Sequence, residues 1–578
     1  MAPTTVRTAA GRGELARRLG EAGERLRPAD VVMQPARLGA ARLTRYSFSR
    51  SLLRRVLGEG WDVSRVRIEM DREGRGHAVY RVGVAGHEFH FVAFTTTIDE
   101  TQHTDRVVAG GWEVTAALVE GPLTDDDMIR LAGTVPLQER ARLDARVLVL
   151  TRGNRSVRFY EYLVDELAAG RQPDAGLVGD AGYIMRSTAF YGNGKYGMRS
   201  FLGYPDGHPL GAPYRAQMLA AWLFRELSYD SVETCARQRG GAAAVGFDDG
   251  WRRFFGLGNA TGLGLVPYFV KHPAVINSWC AIRELALADV RSRAGSDAQF
   301  DRLRWWLDRA VRHFATGGAD ARTPWLSPAD LAAICRRVVI EVDRLTSATR
   351  PFDELYRWAE SDGVETCELV VSLLIELDDS IDDDLLDDLL FVDEDGPSDP
   401  SVSVGELRVA ADGRFGWLDG IDLGDERADH FWWAVSDDTD EPRRAPRRGL
   451  DPAHREVVLD VAHQAQALRE ALAATPADTT ADRFLVDHPH LADAVARLCL
   501  AAPYGEARDN VCGAEFLPLQ MQRFQLAMYG MDNFSPKSTD WLRVTLFQGA
   551  PRLADVGGGT DDAWVWPARP ADPAGATT

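Results

Sequence analysis

Between residues 61 and 95 apolar and polar positions alternate with a period of two. VSRVRIEM, HAVYRVGV and HEFHFVAF change polarity almost residue by residue and are separated by the turn-forming stretches DREGRG and AG. This is the pattern of strands that show one face to a core and the other to water, and it predicts an antiparallel meander. ARVLVLTRG (145–153) and LRVTLFQG (542–549) add strand candidates, the second predicting that the C-terminal part returns to the N-terminal sheet. Elsewhere the period is helical: SVRFYEYLVDELAAG, YRAQMLAAWLFRELS, PAVINSWCAIRELALADVRS and QFDRLRWWLDRAVRHFAT carry apolar stripes three and four residues apart. SPADLAAICRRVVIEVDRLTS opens on Ser327 as N-cap and Pro328 in the first turn.

Turn residues concentrate at 393–448, in DEDGPSDPSVSVGEL, DGRFGWLDGIDLGDE and DDTDEPRRAPRRG, before helical periodicity resumes at Asp451. The fold expected is therefore α+β, a predominantly helical body with an N-terminal antiparallel sheet and an inserted acidic lobe. The parts are an N-terminal helical arm at 1–30, a sheet domain at 31–155 and a helical body with glycine-rich ligand loops at 156–392. An acidic, loop-rich insertion at 393–450, a helical C-terminal part with a returning strand at 451–566 and a tail at 567–578 complete it. The tail, rich in Pro, Ala and small polar residues, is expected to be disordered.

Composition narrows the class of function. The 578 residues are 45% hydrophobic, 26% charged and 9% aromatic, an ordinary globular balance. The longest uncharged apolar stretch, GNATGLGLVPYFV (258–270), is too short to span a bilayer and is broken by Pro267. The opening residues are basic without the apolar run of a secretory signal. A soluble cytoplasmic protein without a membrane partner is the expectation. A net charge of −20 repels phosphate backbones and no basic cluster interleaved with aromatics opposes it, so nucleic acid is not expected as a partner either. Cys235, Cys280, Cys335, Cys367, Cys499 and Cys512 form no CxxC pair, which argues against a structural zinc or a disulfide framework.

Lysine usage points to chemistry. Of the 66 Lys plus Arg residues only Lys195, Lys271 and Lys537 are lysine. A coding background that favours arginine wherever any cation serves leaves lysine where a compact amine with a movable pKa is needed, as a base, nucleophile or electrostatic stabiliser. All three lie in Gly-, Asn-, Ser- and Pro-rich stretches. FYGNGKYGMRSF (190–201) surrounds Lys195 with Gly192, Gly194 and Gly197, a density that frees backbone N–H groups to cradle an anion, and offers Tyr191, Asn193 and Arg199 as further ligands. It is not a P-loop, since the earlier glycine and the Ser or Thr after lysine are missing. GLGNATGLGLVPYFVKHP (256–273) contains GxGxxxG without the preceding strand and following helix of a dinucleotide site, and reads as an extended loop carrying Asn259, Thr261, Lys271 and His272 ahead of a helix beginning at Pro273. YGMDNFSPKSTDW (529–541) reads as a helix-to-strand connection carrying Asn533, Ser535 and Lys537.

These stretches predict an enzyme acting on a small anionic molecule, a carboxylate, acyl or phosphate compound, with Lys195, Lys271 and Lys537 as catalytic candidates. Lyase, hydrolase and acyl transferase remain equally open, and no motif names an organic cofactor or an oligomeric state.

Two other constellations compete. Asp378, Asp379 and Asp382 form DDxxD, a spacing similar to that of magnesium–diphosphate sites in isoprenoid-type enzymes when it lies on a helix, and the wheel puts Asp378 on an apolar face. The acidic lobe would alternatively serve a non-catalytic interaction protein. HEFH (87–90) resembles a metal motif, but residues three apart on a strand face opposite sides, so no metal site is assigned to it. HPH (488–490) is at most a weak metal pair, and GxSxG is absent.

Overall fold

The structure, a computed structural model, describes the chain except residues 1–2, 99–110, 140–141, 179–181, 188–203, 206, 260–272, 317–325, 391–401, 421–432, 437–441, 445–455, 460, 500–503, 505–517, 539–540, 557, 559–564, 568–569 and 571–578. The fold is α+β. It divides into two compact units, each assembled from three stretches of chain.

One unit comprises Leu43–Gly262, Ala294–Leu355 and Leu526–Thr578. It is built on a nine-stranded sheet in the order β1 (Asp62–Met70), β2 (Gly76–Val84), β3 (His87–Thr95), β4 (Val114–Glu120), β5 (Val147–Arg155), β6 (Tyr183–Ser187), β7 (Gly256–Asn259), β12 (Trp541–Leu546) and β11 (Met531–Ser538). The meander β1 to β3 is antiparallel, as alternation predicts. The sheet then departs from a purely antiparallel one, because β6 and β7 run parallel. Both faces are covered in its centre. Val79, Val92, Ala117, Val119, Val147 and Leu150 pack with Leu131 and Val135 from the Asp125–Thr134 helix and the turn after it. On the opposite face Phe91 meets Phe224 of the Arg215–Gly240 helix, and Tyr80 donates to Asp230 of that helix at 2.7 Å. Burial on both sides goes with the apolar run AALV (116–119) at the centre of β4, which is why alternation does not reveal it.

The expected loop at 256–273 begins as β7. A Cβ on Gly256 would stand 2.3 Å from the Leu546 carbonyl oxygen, and one on Gly258 would stand 2.5 Å from the Tyr183 ring. These glycines let β7 fit between β6 and β12. The helix beyond runs Pro273–Arg291, starting at the proline as expected.

The other unit comprises Met1–Arg42, Leu263–Arg293 and Tyr356–Gln525. Its centre is a buried ionic cluster. Arg27 grips both Glu284 oxygens at 2.8 and 2.6 Å and reaches Glu368 at 2.7 Å, joining the chain before Ala29 to the Pro273–Arg291 and Val364–Ile375 helices. The guanidinium donates to both carboxylates, and these charge-assisted hydrogen bonds offset part of the cost of burying the charges.

The expected acidic lobe is described in part. Within it the Val404–Phe415 helix opens on a Ser403–Glu406 capping box and buries Val404, Leu407, Ala411 and Phe415, packing on the Val461–Ala474 and Ala492–Cys499 helices. That stretch is core-forming, contrary to the loop-rich reading. Trp433–Ser436 (β8), Pro442–Arg444 (β9) and Glu456–Leu459 (β10) form a small antiparallel sheet, so the EVVL of the expected helix after Asp451 is strand and the helix starts at Val461. The intervening acidic stretches lie outside the described residues. Among the described residues no helix is long and apolar enough to cross a membrane.

Candidate functional site at the carboxyl edge of the sheet

Strand direction gives β6, β7 and β11 a common carboxyl edge. In the parallel pair β6 and β7, Ser187 stands opposite Asn259. β12 is antiparallel to β7 and β11 antiparallel to β12, so β6, β7 and β11 all point the same way. Segment 188–203 leaves directly after Ser187, segment 260–272 directly after Asn259, and Lys537 lies at the carboxyl end of β11. The carboxyl ends of neighbouring parallel strands are where open sheets place ligands, because chains leaving there diverge and open a crevice.

Lys195, Tyr191, Asn193 and Arg199, like Thr261, Lys271 and His272, lie outside the described residues. Asn259 is the last residue of β7 and pairs with Val544 on its other side. Asn533, Ser535 and Lys537 do not sit in a loop as expected: they belong to β11, the outer strand. Pro536 is tolerated there because an edge strand leaves one row of N–H groups unused. The register slips between Pro536 and Ser538, making Lys537 the extra residue of a bulge. Buried Arg186 and Ser187 end β6, with Ser187 Oγ 3.4 Å from Thr151 Oγ1.

A histidine cluster that the sequence does not reveal lies at the start of β3 and the end of β4, away from the strand ends level with Ser187. Ser187 pairs with Gly153, which pairs with Val114, so β6 ends level with the start of β4 and not with Glu120 at its end. Glu120 lies opposite Phe89, and His87, two residues earlier on β3, shares their face. The His87 and Phe89 rings stack. His208, just past the lysine segment 188–203, covers them: its Nε2 donates to Glu120 Oε1 at 3.1 Å, and His87 Nδ1 stands 3.4 Å from the same oxygen. Tyr204 stacks on His208 with centroids 4.5 Å apart. His90 points to the opposite face, with Nδ1 on the Gly121 carbonyl at 3.0 Å, and burial lowers its pKa. HEFH therefore divides between two faces, and His87 finds its partners at long range instead.

The donor atoms of His87, Glu120 and His208 lie within 4.8 Å of one another, a spacing that can suit a transition metal. The tautomer opposes that use. Leu210 N–H donates to His208 Nδ1 at 3.1 Å, so in the neutral ring the proton sits on Nε2, where a metal would have to bind.

In the helical unit the DDxxD residues do not share a helix. The Val364–Ile375 helix ends before Asp378, and Asp382 accepts from Leu385 N at 2.8 Å ahead of the Asp383–Leu390 helix. Asp378 is buried and accepts from Ser380 Oγ at 2.8 Å, while Arg293 binds Asp379 at 2.5 Å and pairs with Asp289. The one-turn spacing that suggested magnesium is absent, and an arginine supplies the counterion. Cys235, Cys280, Cys335 and Cys367 are buried free thiols, and burial pushes those of Cys280 and Cys367 up to about 12, which makes them poor nucleophiles.

Compared with protein-family models, with curated proteins and with solved structures, the chain has no match. Function has to be argued from the site.

Proposed function

We propose that this protein is an enzyme acting on a small anionic substrate, a carboxylate, acyl or phosphate compound, held at the carboxyl edge of β6, β7 and β11. The observation that carries the reading is the shared direction of these strands, two of which lead straight into the glycine-rich segments of Lys195 and Lys271 while the third bears Lys537. Glycine-rich chain leaving parallel strand ends offers N–H groups to an anion, and lysine adds a charge whose pKa the surroundings can move. An electrostatic role and an acid–base role both suit such a lysine, so the reaction class stays open among lyase, hydrolase and acyl transferase.

The test separates charge from chemistry. Wild type, Lys195→Arg and Lys195→Met are screened by thermal shift against carboxylates, acyl thioesters and nucleotides. A ligand of the site should stabilise wild type, keep most of its effect in the arginine variant if charge alone matters, and lose it in the methionine variant. A ligand that stabilises all three equally would remove Lys195 from the site. Once turnover is measurable, loss of about a hundredfold in both variants identifies an acid–base lysine.

A further inference from the structure

Arg283, on the Pro273–Arg291 helix, is a buried cation that no described group of the chain neutralises by direct contact. It is 4% exposed. Among the described residues its one hydrogen bond runs from Nη2 to Ser372 Oγ at 3.3 Å, and its Cζ stands 5.0 Å from the centre of the Trp279 ring. Ser372 brings no charge: its hydroxyl donates to the Glu368 carbonyl oxygen at 2.8 Å and turns a lone pair to Arg283. Nε is enclosed without an acceptor. The carboxylates of the neighbourhood are engaged elsewhere, since Arg27 donates to both Glu284 oxygens and to Glu368, and Arg37 Nη1 stands 3.5 Å from Glu368. The two buried arginines differ accordingly. Glu284 and Glu368 hold the Arg27 pKa well above the ordinary arginine value against its burial, whereas at Arg283 burial prevails and lowers it. Arginine keeps its proton at neutral pH even so, and a buried charge persists where something neutralises it.

We propose that Arg283 anchors a further anion site, in the helical unit, which takes the carboxylate of a small monoanion. The enclosed Nε leaves the Nη end of the guanidinium to the ligand. A planar carboxylate matches that end, one oxygen accepting from Nη1 and the other from the Nη2 proton not used by Ser372. Glu284 and Glu368 set the charge. Both act on Arg283 electrostatically, so a dianion such as phosphate is repelled where a single negative charge is balanced. The Trp279 ring beside the guanidinium, with Phe524 edge-on to it at 5.4 Å, makes the surroundings apolar, and a charge-assisted pair is strong there. The site does not depend on the reading of the lysine-bearing segments and is not assigned to their reaction.

The experiment titrates the full-length protein, held in a carboxylate-free buffer, with sodium acetate, sodium chloride and sodium phosphate at equal ionic strength. Acetate should raise the melting temperature progressively with its concentration and beyond the effect of either other salt. Arg283→Met keeps most of the stem and removes the charge. It should melt at the wild-type temperature or above in the carboxylate-free buffer, because an unpaired buried charge is gone, and should bind acetate about tenfold more weakly or worse. Lys195→Met should keep the acetate effect, which separates this site from the lysine-bearing segments. Hydrogen exchange of the wild type needs no variant: acetate should slow exchange in the Pro273–Arg291 and Val364–Ile375 helices. Equal effects of the three salts, an acetate effect that survives in Arg283→Met, or protection absent from both helices would each overturn the site. So would an Arg283→Met that melts several degrees lower or fails to fold in the carboxylate-free buffer, since a group of the chain itself would then already neutralise Arg283.

Discussion

Ser187 and Asn259 stand opposite one another in the parallel strands β6 and β7, and each is the last described residue before a glycine-rich segment bearing a lysine. The pairing depends on Gly258, where any side chain would enter the Tyr183 ring. Gly258→Ala should therefore cost about 2 kcal/mol, as overpacking of a close backbone approach does. Chemical denaturation checks this, and a loss below about 0.5 kcal/mol, typical of surface changes, would mean that β7 does not lie where the register puts it.

Deleting 397–447 should impair folding of the helical unit. The deletion removes the capped Val404–Phe415 helix whose apolar face is buried. Leu407→Ala alone should cost about 2–4 kcal/mol. A shorter deletion of 421–432, which spares that helix, should leave a cooperative protein. Equal melting temperatures for all three variants and wild type would show the helix to be dispensable.

Magnesium should give no specific stabilisation. Arg293 already pairs with Asp289 and Asp379, and Asp382 is engaged by Leu385 N–H. Millimolar magnesium should move the melting temperature no more than sodium at equal ionic strength. A rise that disappears in Asp378→Asn would restore the diphosphate reading.

Acid should act through His90. Burial holds its pKa below the ordinary 6.5, while the Gly121 carbonyl contact partly offsets the shift. The unfolded chain therefore takes up the proton first as pH falls. The stability contribution is complete above about 6.5 and is lost as pH drops through the lower folded value. In His90→Gln the difference between melting temperatures at neutral and mildly acidic pH should shrink. An unchanged difference would assign the acid sensitivity to other groups.

Much of this architecture is written locally. Alternation at 62–95 predicts the β1 to β3 meander because adjacent strands joined by tight turns need only their own residues to set the register. The helix after Ser327 and Pro328 is legible for the same reason, since its Ser327–Asp330 capping box involves neighbours three residues apart. What escapes such a reading depends on distant chain. β4 is buried on both faces and does not alternate, and β7 is a short glycine-bearing strand that exists only between β6 and β12, the latter nearly three hundred residues away. The DDxxD wheel presumed a helix that ends at Ile375, because the chain there turns to place Asp378 beside Ser380. HEFH could be seen, yet the partners of His87 come from the end of β4 and from beyond segment 188–203, and a backbone N–H of Leu210 determines where the His208 proton lies. Local sequence thus determined elements whose stabilising contacts are local. Strand direction in the sheet, and the tautomer of His208, were decided by packing that no stretch of sequence contains by itself.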